Sequence, residues 1–401
     1  MLLWRRISTL RLHVLVGFTM RVFRWCRRLC LLLLAGLQLA VACRKQEPEP
    51  AEPPTVPATP YVLALPRQLP QSVVVPANNP LTEEGIDLGR KLFYETRLSR
   101  NNTMSCGSCH QQSRAFTDGK ARAVGVDGQM HPRNAMSLVN LLWEPNLNWD
   151  GAATSLEAQA RLPLENPLEM HQSLAEGVRK LQQTDLYPPL FARAFGSSTI
   201  TEENVLKALA QFERTLISAN SRYERWLERR AVLSPDELAG RVLFFNHPGE
   251  RGDPNARGGS CDHCHNGNNF LFSGTNFTSP GGVTQYFNNG LDQTFTDLGR
   301  GGVTGLATDR GKFRVPTLRN IALTAPYMHD GRFQTLEEVL DHYNEHIQTN
   351  SPNVDPILLL SNTPGGTRLD LTATEKRQLV AFLKTLTDST FIQDPRFANP
   401  F

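Results

Sequence analysis

The chain has 401 residues, of which 40% are hydrophobic and 20% charged, so it can bury a core and is long enough for two domains. Its formal net charge of +3 is too small to indicate a nucleic-acid partner. Much of the basic excess lies before residue 46, and without it the chain is close to neutral.

The N-terminal segment has the layout of an export signal. Residues 20–30 (MRVFRWCRRLC) are basic, and residues 31–42 (LLLLAGLQLAVA) are apolar but too few to span a membrane. Cys43 follows small residues, which resembles the processing site of bacterial lipoproteins, although Ala40 stands where Leu is commoner. We therefore predict a signal over 1–43 with a lipid on Cys43, and a periplasmic protein that meets the membrane only there. An ordinary cleaved signal and a retained anchor are the alternatives.

The next segment begins with RKQEPEPAEPPTVPATP (44–60), which is rich in Pro and Glu. Such a composition cannot pack a core and favours an extended chain. It predicts a tether over 44–75.

The cysteines beyond the signal region lie in two C-x-x-C-H motifs, CGSCH (106–110) and CDHCH (261–265). This pattern is typical of covalently attached haem c, in which two thiols bind the haem and the His binds its iron. The predicted attachment residues are Cys106, Cys109 and His110 for one haem, and Cys261, Cys264 and His265 for the other. A zinc site with four thiolates would need closer pairs than these, which lie about 150 residues apart. A redox C-x-x-C pair would not explain the His in both motifs.

Segments around the two motifs repeat. Residues 88–110 parallel 239–265, and the helical pattern at 205–218 parallels 376–387. A first helix, a C-x-x-C-H motif and a packed last helix are the plan of cytochrome c. We predict a mainly α fold with two tandem cytochrome c-like domains, 76–230 and 235–390. Each carries one haem c, long loops connect the elements, and residues 391–401 form a tail.

Residues 75–390 resemble the bacterial dihaem cytochrome c peroxidases and the related MauG proteins. Besides the haem motifs, the resemblance rests on PRNAMSLVN (132–140), WDGAATSLEAQARLPLENPLEM (149–170) and FRVPTLRNIALTAPYMHDGRFQTLEEVLDHYN (313–344). It implies reduction of hydrogen peroxide at the N-terminal haem, with electrons from a small cytochrome c or copper protein passing through the C-terminal haem. It also makes a homodimer an alternative to a monomer.

At the first haem, the resemblance assigns Glu169 as the acid that moves a proton between the peroxide oxygens, and Gln159 as the neighbour that orients peroxide. Glu165, one helical turn before Glu169, is a competing acid. Pro163 matches a wall of the pocket. Trp149 matches an aromatic residue between the haems, where an indole can relay electrons.

Peroxidases of this family cap the first haem with a loop His until they are activated. The corresponding position here is Val126, which cannot bind iron, so the resemblance implies an open first haem, as in MauG. His131 as a mobile cap is the alternative, although the register does not support it or its neighbour Met130.

The second haem has two candidate distal ligands, Tyr343 and Met328. TLEE (335–338) is a capping box that begins a helix, and Tyr343 lies on its apolar face. The family register places the ligand at Tyr343, as in MauG, and a phenolate stabilises ferric iron and lowers the potential. Met328 would raise the potential instead. His342, His346 and a Tyr343 that only packs stay open.

The resemblance also implies a calcium ion between the domains, with ligand oxygens from Asn134, Thr324 and Pro326. One departure from MauG is Gly259, two residues before the second motif, where MauG has a surface Trp. Oxidation of a protein substrate through that exit is therefore not expected.

Two other functions remain. One is MauG-like, peroxide-dependent oxidation of a protein or organic substrate through high-valent haem, which Tyr343 favours. The other is a non-enzymatic dihaem electron carrier or redox sensor, which requires protein ligands on both sides of each haem.

Overall fold

The computed structural model describes residues 57–249, 256–277 and 281–401. The predicted signal, the predicted lipid site at Cys43 and tether residues 44–56 lie outside these ranges. Within them, no helix is long and apolar enough to cross a membrane.

The described residues are mainly helical, which confirms the predicted fold class at this level. The helices are α1 (Glu83–Phe93), α2 (Cys106–Cys109), α3 (Leu156–Glu165), α4 (Leu174–Gln182), α5 (Tyr187–Phe195), α6 (Glu202–Arg214), α7 (Arg222–Leu227), α8 (Pro235–Phe245), α9 (Cys261–Cys264), α10 (Arg300–Thr304), α11 (Leu336–Asp341), which continues as a π-helix (His342–His346), and α12 (Ala373–Lys384). Short strands pair in antiparallel fashion, β1 (Thr275–Asn276) with β2 (Val283–Thr284), and β3 (Tyr286–Phe287) with β4 (Phe313–Arg314).

The first half is built on the contact between α1 and α6. α1 begins after Thr82, whose side chain accepts a hydrogen bond from Gly85 N, and its acidic first turn suits a helix N-terminus. Gly89 lets the helices approach closely, because a Cβ there would lie 2.0 Å from the Ala208 carbonyl oxygen. The buried faces of α1, α3, α5 and α6 then close one hydrophobic core.

The second half repeats this contact with α8 and α12. Both helices begin with a capping box, Ser234 with Glu237 and Thr372 with Glu375. A Cβ at Gly240 of α8 would lie 1.8 Å from the Gln378 carbonyl oxygen of α12. Both glycines begin a G-R-x-L-F sequence (89–93 and 240–244) in the repeated segments, so each has the same role in its half.

The tail at 391–401 returns to the first half. Phe391 and Phe397 are each 3% exposed and belong to its core. Tyr94 Oη and the Arg90 guanidinium donate hydrogen bonds to main-chain carbonyls of this tail. The chain therefore completes its first core with its last residues.

The prediction that the tether extends to residue 75 was wrong at its C-terminal end. Leu69 is 2% exposed and packs with Trp143 in a third apolar cluster. The Trp143 indole donates to Pro70 O at 2.8 Å, and Gln68 Nε2 donates to Ala219 O at 2.8 Å. The apolar residues spaced among the prolines of this segment provide the packing that its composition did not suggest.

Substituting Gly240→Ala should lower the free energy of unfolding by about 2 kcal/mol, because its methyl group would press on the main chain of α12. Gly302→Ala is the matched control, since its Cβ would meet only Leu298 at 3.9 Å within the short helix α10. Urea unfolding of both holoproteins checks this. Equal stability of the two variants would contradict the close-contact role of Gly240.

Candidate functional site: two cysteine–histidine cavities joined by a tryptophan

The first C-x-x-C-H motif forms a helical turn in the wall of a cavity. Cys106 and Cys109 lie on α2, and His110 ends this helix. His110 Nδ1 lies 2.7 Å from the Phe116 carbonyl oxygen, so it acts as the donor and Nε2 is the nitrogen available to a metal. Burial lowers the pKa of His110, which favours the neutral imidazole that binds iron.

The second motif has the same arrangement in a second cavity. Cys261 and Cys264 lie on α9, and His265 Nδ1 lies 3.1 Å from the Pro316 carbonyl oxygen. Burial lowers the pKa of His265 to about 4. The thiols of both motifs are free. Each cavity therefore offers two thiols and an oriented, neutral imidazole, which fits a covalently attached haem c.

The predicted distal residues of the first haem come together in the first cavity. Gln159 and Pro163 line it from α3, and Glu169 lines it from the turn that follows. Glu169 Oε1 accepts a hydrogen bond from Asn166 Nδ2 at 2.8 Å. Glu165 also borders the cavity, but it is 42% exposed and pairs with Arg161. Of the two carboxylates, Glu169 is thus the one without an arginine partner in these contacts.

The loop that carries Val126 packs on the segment of Glu169. Val126 N donates to Glu169 O at 2.7 Å, and a Cβ at Gly125 would lie 2.2 Å from the Leu168 carbonyl oxygen. Asp127 pairs with Arg100 at 3.0 Å and with His171 at 2.5 Å. The loop is therefore held against the cavity by its main chain and by ionic contacts.

The imidazole of His131 lies at the end of this loop and lines the first cavity. Its Nε2 is 3.4 Å from Glu169 Oε1. No sequence signal indicates this pair, and the resemblance makes His131 only an alternative cap of the first haem.

Both candidate ligands of the second haem line the second cavity. Asn289 Nδ2 lies 3.4 Å from Tyr343 Oη and 3.5 Å from Met328 Sδ, so the two groups share one donor. His342 instead meets the Asn289 carbonyl oxygen through Nε2, and the exposed His346 meets Asp341 O. Neither histidine is among the residues that line the cavity.

A second internal repeat, with an offset of 180 residues, relates the segment that carries Pro163 in the first cavity to the segment that carries Tyr343 in the second. Leu147 pairs with Ala153 as Tyr327 pairs with Phe333, and α3 and α11 follow the caps Ser155 and Thr335. Pro163 lies eight residues after Ser155, and Tyr343 lies eight residues after Thr335. The same place therefore holds a side chain that cannot bind iron in one cavity and a phenol in the other.

Trp149 lines both cavities. Its Nε1 donates to Asn134 O at 2.9 Å, and its ring lies 6.5 Å from the ring of His329, which stacks on Phe313. The 180-residue repeat makes His329 the counterpart of Trp149. That repeat is the sequence signal that could have found His329.

A buried ion pair beside Trp149 was also missed. Arg314 Nη1 lies 3.2 Å from Glu144 Oε2, and the two side chains are 4% and 5% exposed. Arg314 lines both cavities and donates to the carbonyl oxygen of Asn148 through Nε and to that of Trp149 through its main-chain N. The pair thus fixes the main chain that positions the indole.

The predicted calcium ligands line one cavity, but nothing supports an ion. Asn134, Thr324 and Pro326 line the second cavity, and Asn134 Nδ2 donates to Lys120 O at 2.8 Å. Within the described ranges, no group of three or more His, Cys, Asp and Glu side chains could hold a metal. The calcium stays a prediction.

Gly259 also lines the second cavity. A Cβ at this position would lie 3.0 Å from Cys261 Sγ.

We predict that Glu144→Gln costs about 3 kcal/mol of stability, because the Arg314 cation would remain buried without its counter-charge. Glu165→Gln makes the same chemical change in the exposed pair with Arg161 and should cost less than about 1 kcal/mol. The two free energies of unfolding, measured in urea, decide the matter. If Glu144→Gln is as mild as its control, the buried pair does not contribute as described.

The comparisons with known proteins agree with this geometry. The sequence model of the family "Di-haem cytochrome c peroxidase" matches residues 83–231. The chain is 37% identical to "Methylamine utilization protein MauG" of Methylorubrum extorquens, over 79% of this chain and 82% of that protein. It is 34% identical to "Cytochrome c551 peroxidase" of Nitrosomonas europaea, over 79% and 83%.

Two solved structures are similar as well. A "MauG-like protein associated with microbial copper homeostasis" is 38% identical, with a TM-score of 0.72 over 85% of this chain and 99% of that chain. The diheme peroxidase BthA from Burkholderia thailandensis is 24% identical, with a TM-score of 0.63 over 86% and 99%, and so supports the fold alone. The chain belongs to the family of dihaem cytochrome c peroxidases and MauG proteins, and it is an oxidoreductase of the cytochrome c peroxidase type.

Proposed function

We propose that the protein reduces hydrogen peroxide in its first cavity with electrons that enter through its second. In this proposal, residues 76–230 and 235–390 are cytochrome c-like domains with one haem c each, bound through the cysteines of the two motifs. His110 and His265 are the proximal ligands. The haem, when bound, supplies an iron that takes up peroxide and exchanges electrons. The observation that carries the proposal is the placement of Glu169, Gln159 and Pro163 in one cavity with the first motif.

Glu169 and Gln159 divide the work on peroxide. The reaction consumes one peroxide, two electrons and two protons, breaks the O–O bond and yields two waters. A carboxylate can take a proton from one oxygen of peroxide and return one to the other oxygen, which leaves as water. The contact of Asn166 with Oε1 fixes the orientation of the Glu169 carboxylate. Gln159 offers an amide that can hold peroxide in place.

The asymmetry between Pro163 and Tyr343 supports the assignment of the two cavities. Pro163 carries no group that can bind iron, so the first site stays open to peroxide. Tyr343 offers a phenol to the second site, although Met328 remains an alternative there. Burial raises the pKa of Tyr343 to about 12, so the phenolate form needs a cation such as ferric iron beside it.

Trp149 is the proposed electron relay because its indole borders both cavities. The electrons would come from a small cytochrome c or copper protein. The proposed location is the periplasm, with a lipid on Cys43 as the membrane anchor.

A MauG-like oxidation of a protein or organic substrate is the second candidate. It is favoured by Tyr343 in the second cavity and by the 38% identity to a MauG-like protein associated with microbial copper homeostasis. Gly259 means that such a reaction would need an exit other than the one used by MauG.

One equivalent of peroxide added to the holoprotein should change its optical and EPR spectra rapidly. In Glu169→Gln this change should be slower by about 100-fold or more, because the carboxylate that transfers the proton is lost. Glu165→Gln is the control and should react at the wild-type rate. The resting ferric protein should show one high-spin and one low-spin haem. Two low-spin haems that do not react with peroxide would contradict the proposed function.

Tyr343→Met should raise the potential of the second haem on the order of hundreds of millivolts, because a neutral thioether replaces an anionic phenolate and axial ligands set potentials over about 0.8 V. Met328→Leu should leave this potential nearly unchanged. Redox titrations of the two variants are the measurement. The opposite ranking would make Met328 the ligand.

A further inference from the structure

We infer that His131 is the positioning residue that passes protons from solvent to Glu169. The inference rests on the proposed function, which consumes two protons for each peroxide. Glu169 alone can move a proton between the two oxygens, but the protons that end in water must come from solvent. His131 is a titratable group that contacts Glu169 at this cavity.

The imidazole has hydrogen-bond partners in each of its protonation states. Nδ1 lies 3.1 Å from both the main-chain N and the carbonyl oxygen of Arg133, while Nε2 lies 3.4 Å from Glu169 Oε1. A neutral ring protonated at Nε2 accepts from Arg133 N and donates to Glu169. A ring protonated at Nδ1 donates to Arg133 O and can accept from a protonated Glu169. The cation donates to Arg133 O and to Glu169, so a proton can enter at one nitrogen and leave at the other while the ring keeps a partner at each.

The surroundings keep this arrangement in place. His131 N donates to Ala123 O at 2.8 Å, which closes the loop. The Arg133 guanidinium forms ion pairs with Asp150 at 2.6 Å and Asp297 at 2.7 Å, so the main chain that faces Nδ1 is fixed. The same pairs compensate the charge of Arg133, which would otherwise oppose a second cation next to it.

The pair lies at the mouth of the cavity. The side chains of His131 and Glu169 are 24% and 30% exposed. Water can therefore deliver a proton to the imidazole, while Glu169 reaches the cavity that the first motif lines. On the other side of the loop, Arg100, Asp127 and His171 form their own cluster and make no contact with His131 in the described structure.

His131→Gln tests the relay, because glutamine keeps hydrogen-bonding groups but cannot carry a proton through. In steady-state assays of the holoenzyme with hydrogen peroxide and a reduced small cytochrome c as electron donor, kcat should fall about 100-fold. KM for peroxide should stay within about 3-fold, since in this proposal the imidazole acts through Glu169 and does not hold peroxide. In His131→Ala, added imidazole should restore part of kcat. His171→Gln is the matched control: a glutamine there can still donate to Asp127, which also keeps its pair with Arg100, so both parameters should stay at wild-type values.

A second measurement does not depend on turnover. In protein labelled with 15N-histidine, reduced and bound to carbon monoxide, the Nε2 resonance of His131 should shift in Glu169→Gln, whereas that of His171 should not. Normal kcat in His131→Gln, or a loss that imidazole does not rescue together with an unmoved resonance, would overturn the relay. Normal kcat in Glu169→Gln as well would instead overturn the proposed function.

Discussion

The close approach of a first and a last helix in each half is the constraint on which the rest of the structure depends. Gly89 and Gly240 remove the side chain that would keep these helices apart. Each C-x-x-C-H turn follows such a first helix in the chain and packs near it, so the helix contact decides where the thiols and the imidazole lie. The hydrogen bonds of His110 and His265 to main-chain carbonyls then set which ring nitrogen remains for a metal.

The two halves share this frame and differ in the residues placed on it. The 180-residue repeat brings Pro163 and Tyr343 to one position, and Trp149 and His329 to another. Selection can thus change the chemistry of one cavity without moving the frame of either. The buried pair of Arg314 and Glu144 lies where both cavities meet and ties their walls to the same stretch of main chain.

Much of the fold could be predicted because its signals are local or covalent. The C-x-x-C-H motifs indicated which thiols and imidazoles lie together, and the capping boxes and helical periodicity predicted the helices around them. The resemblance to the family indicated Glu169, Gln159 and Trp149, and in the structure these residues line the cavities. No such local signal marks the contact of His131 with Glu169, which depends on how a loop of several residues folds back. The same holds for Arg314 and Glu144, which are 170 residues apart and meet only in three dimensions. The predicted C-terminal end of the tether was wrong because the prediction relied on the proline content of the segment, whereas its apolar residues pack.

The return of the tail to the first half has a consequence for biosynthesis. Phe391 and Phe397 complete a core whose other members end at Leu216. During synthesis, this core therefore stays incomplete until Phe397 has been made, although N-terminal segments usually fold first. A truncation that removes Phe391 and Phe397 would thus lower the stability of the half of the chain that precedes residue 217.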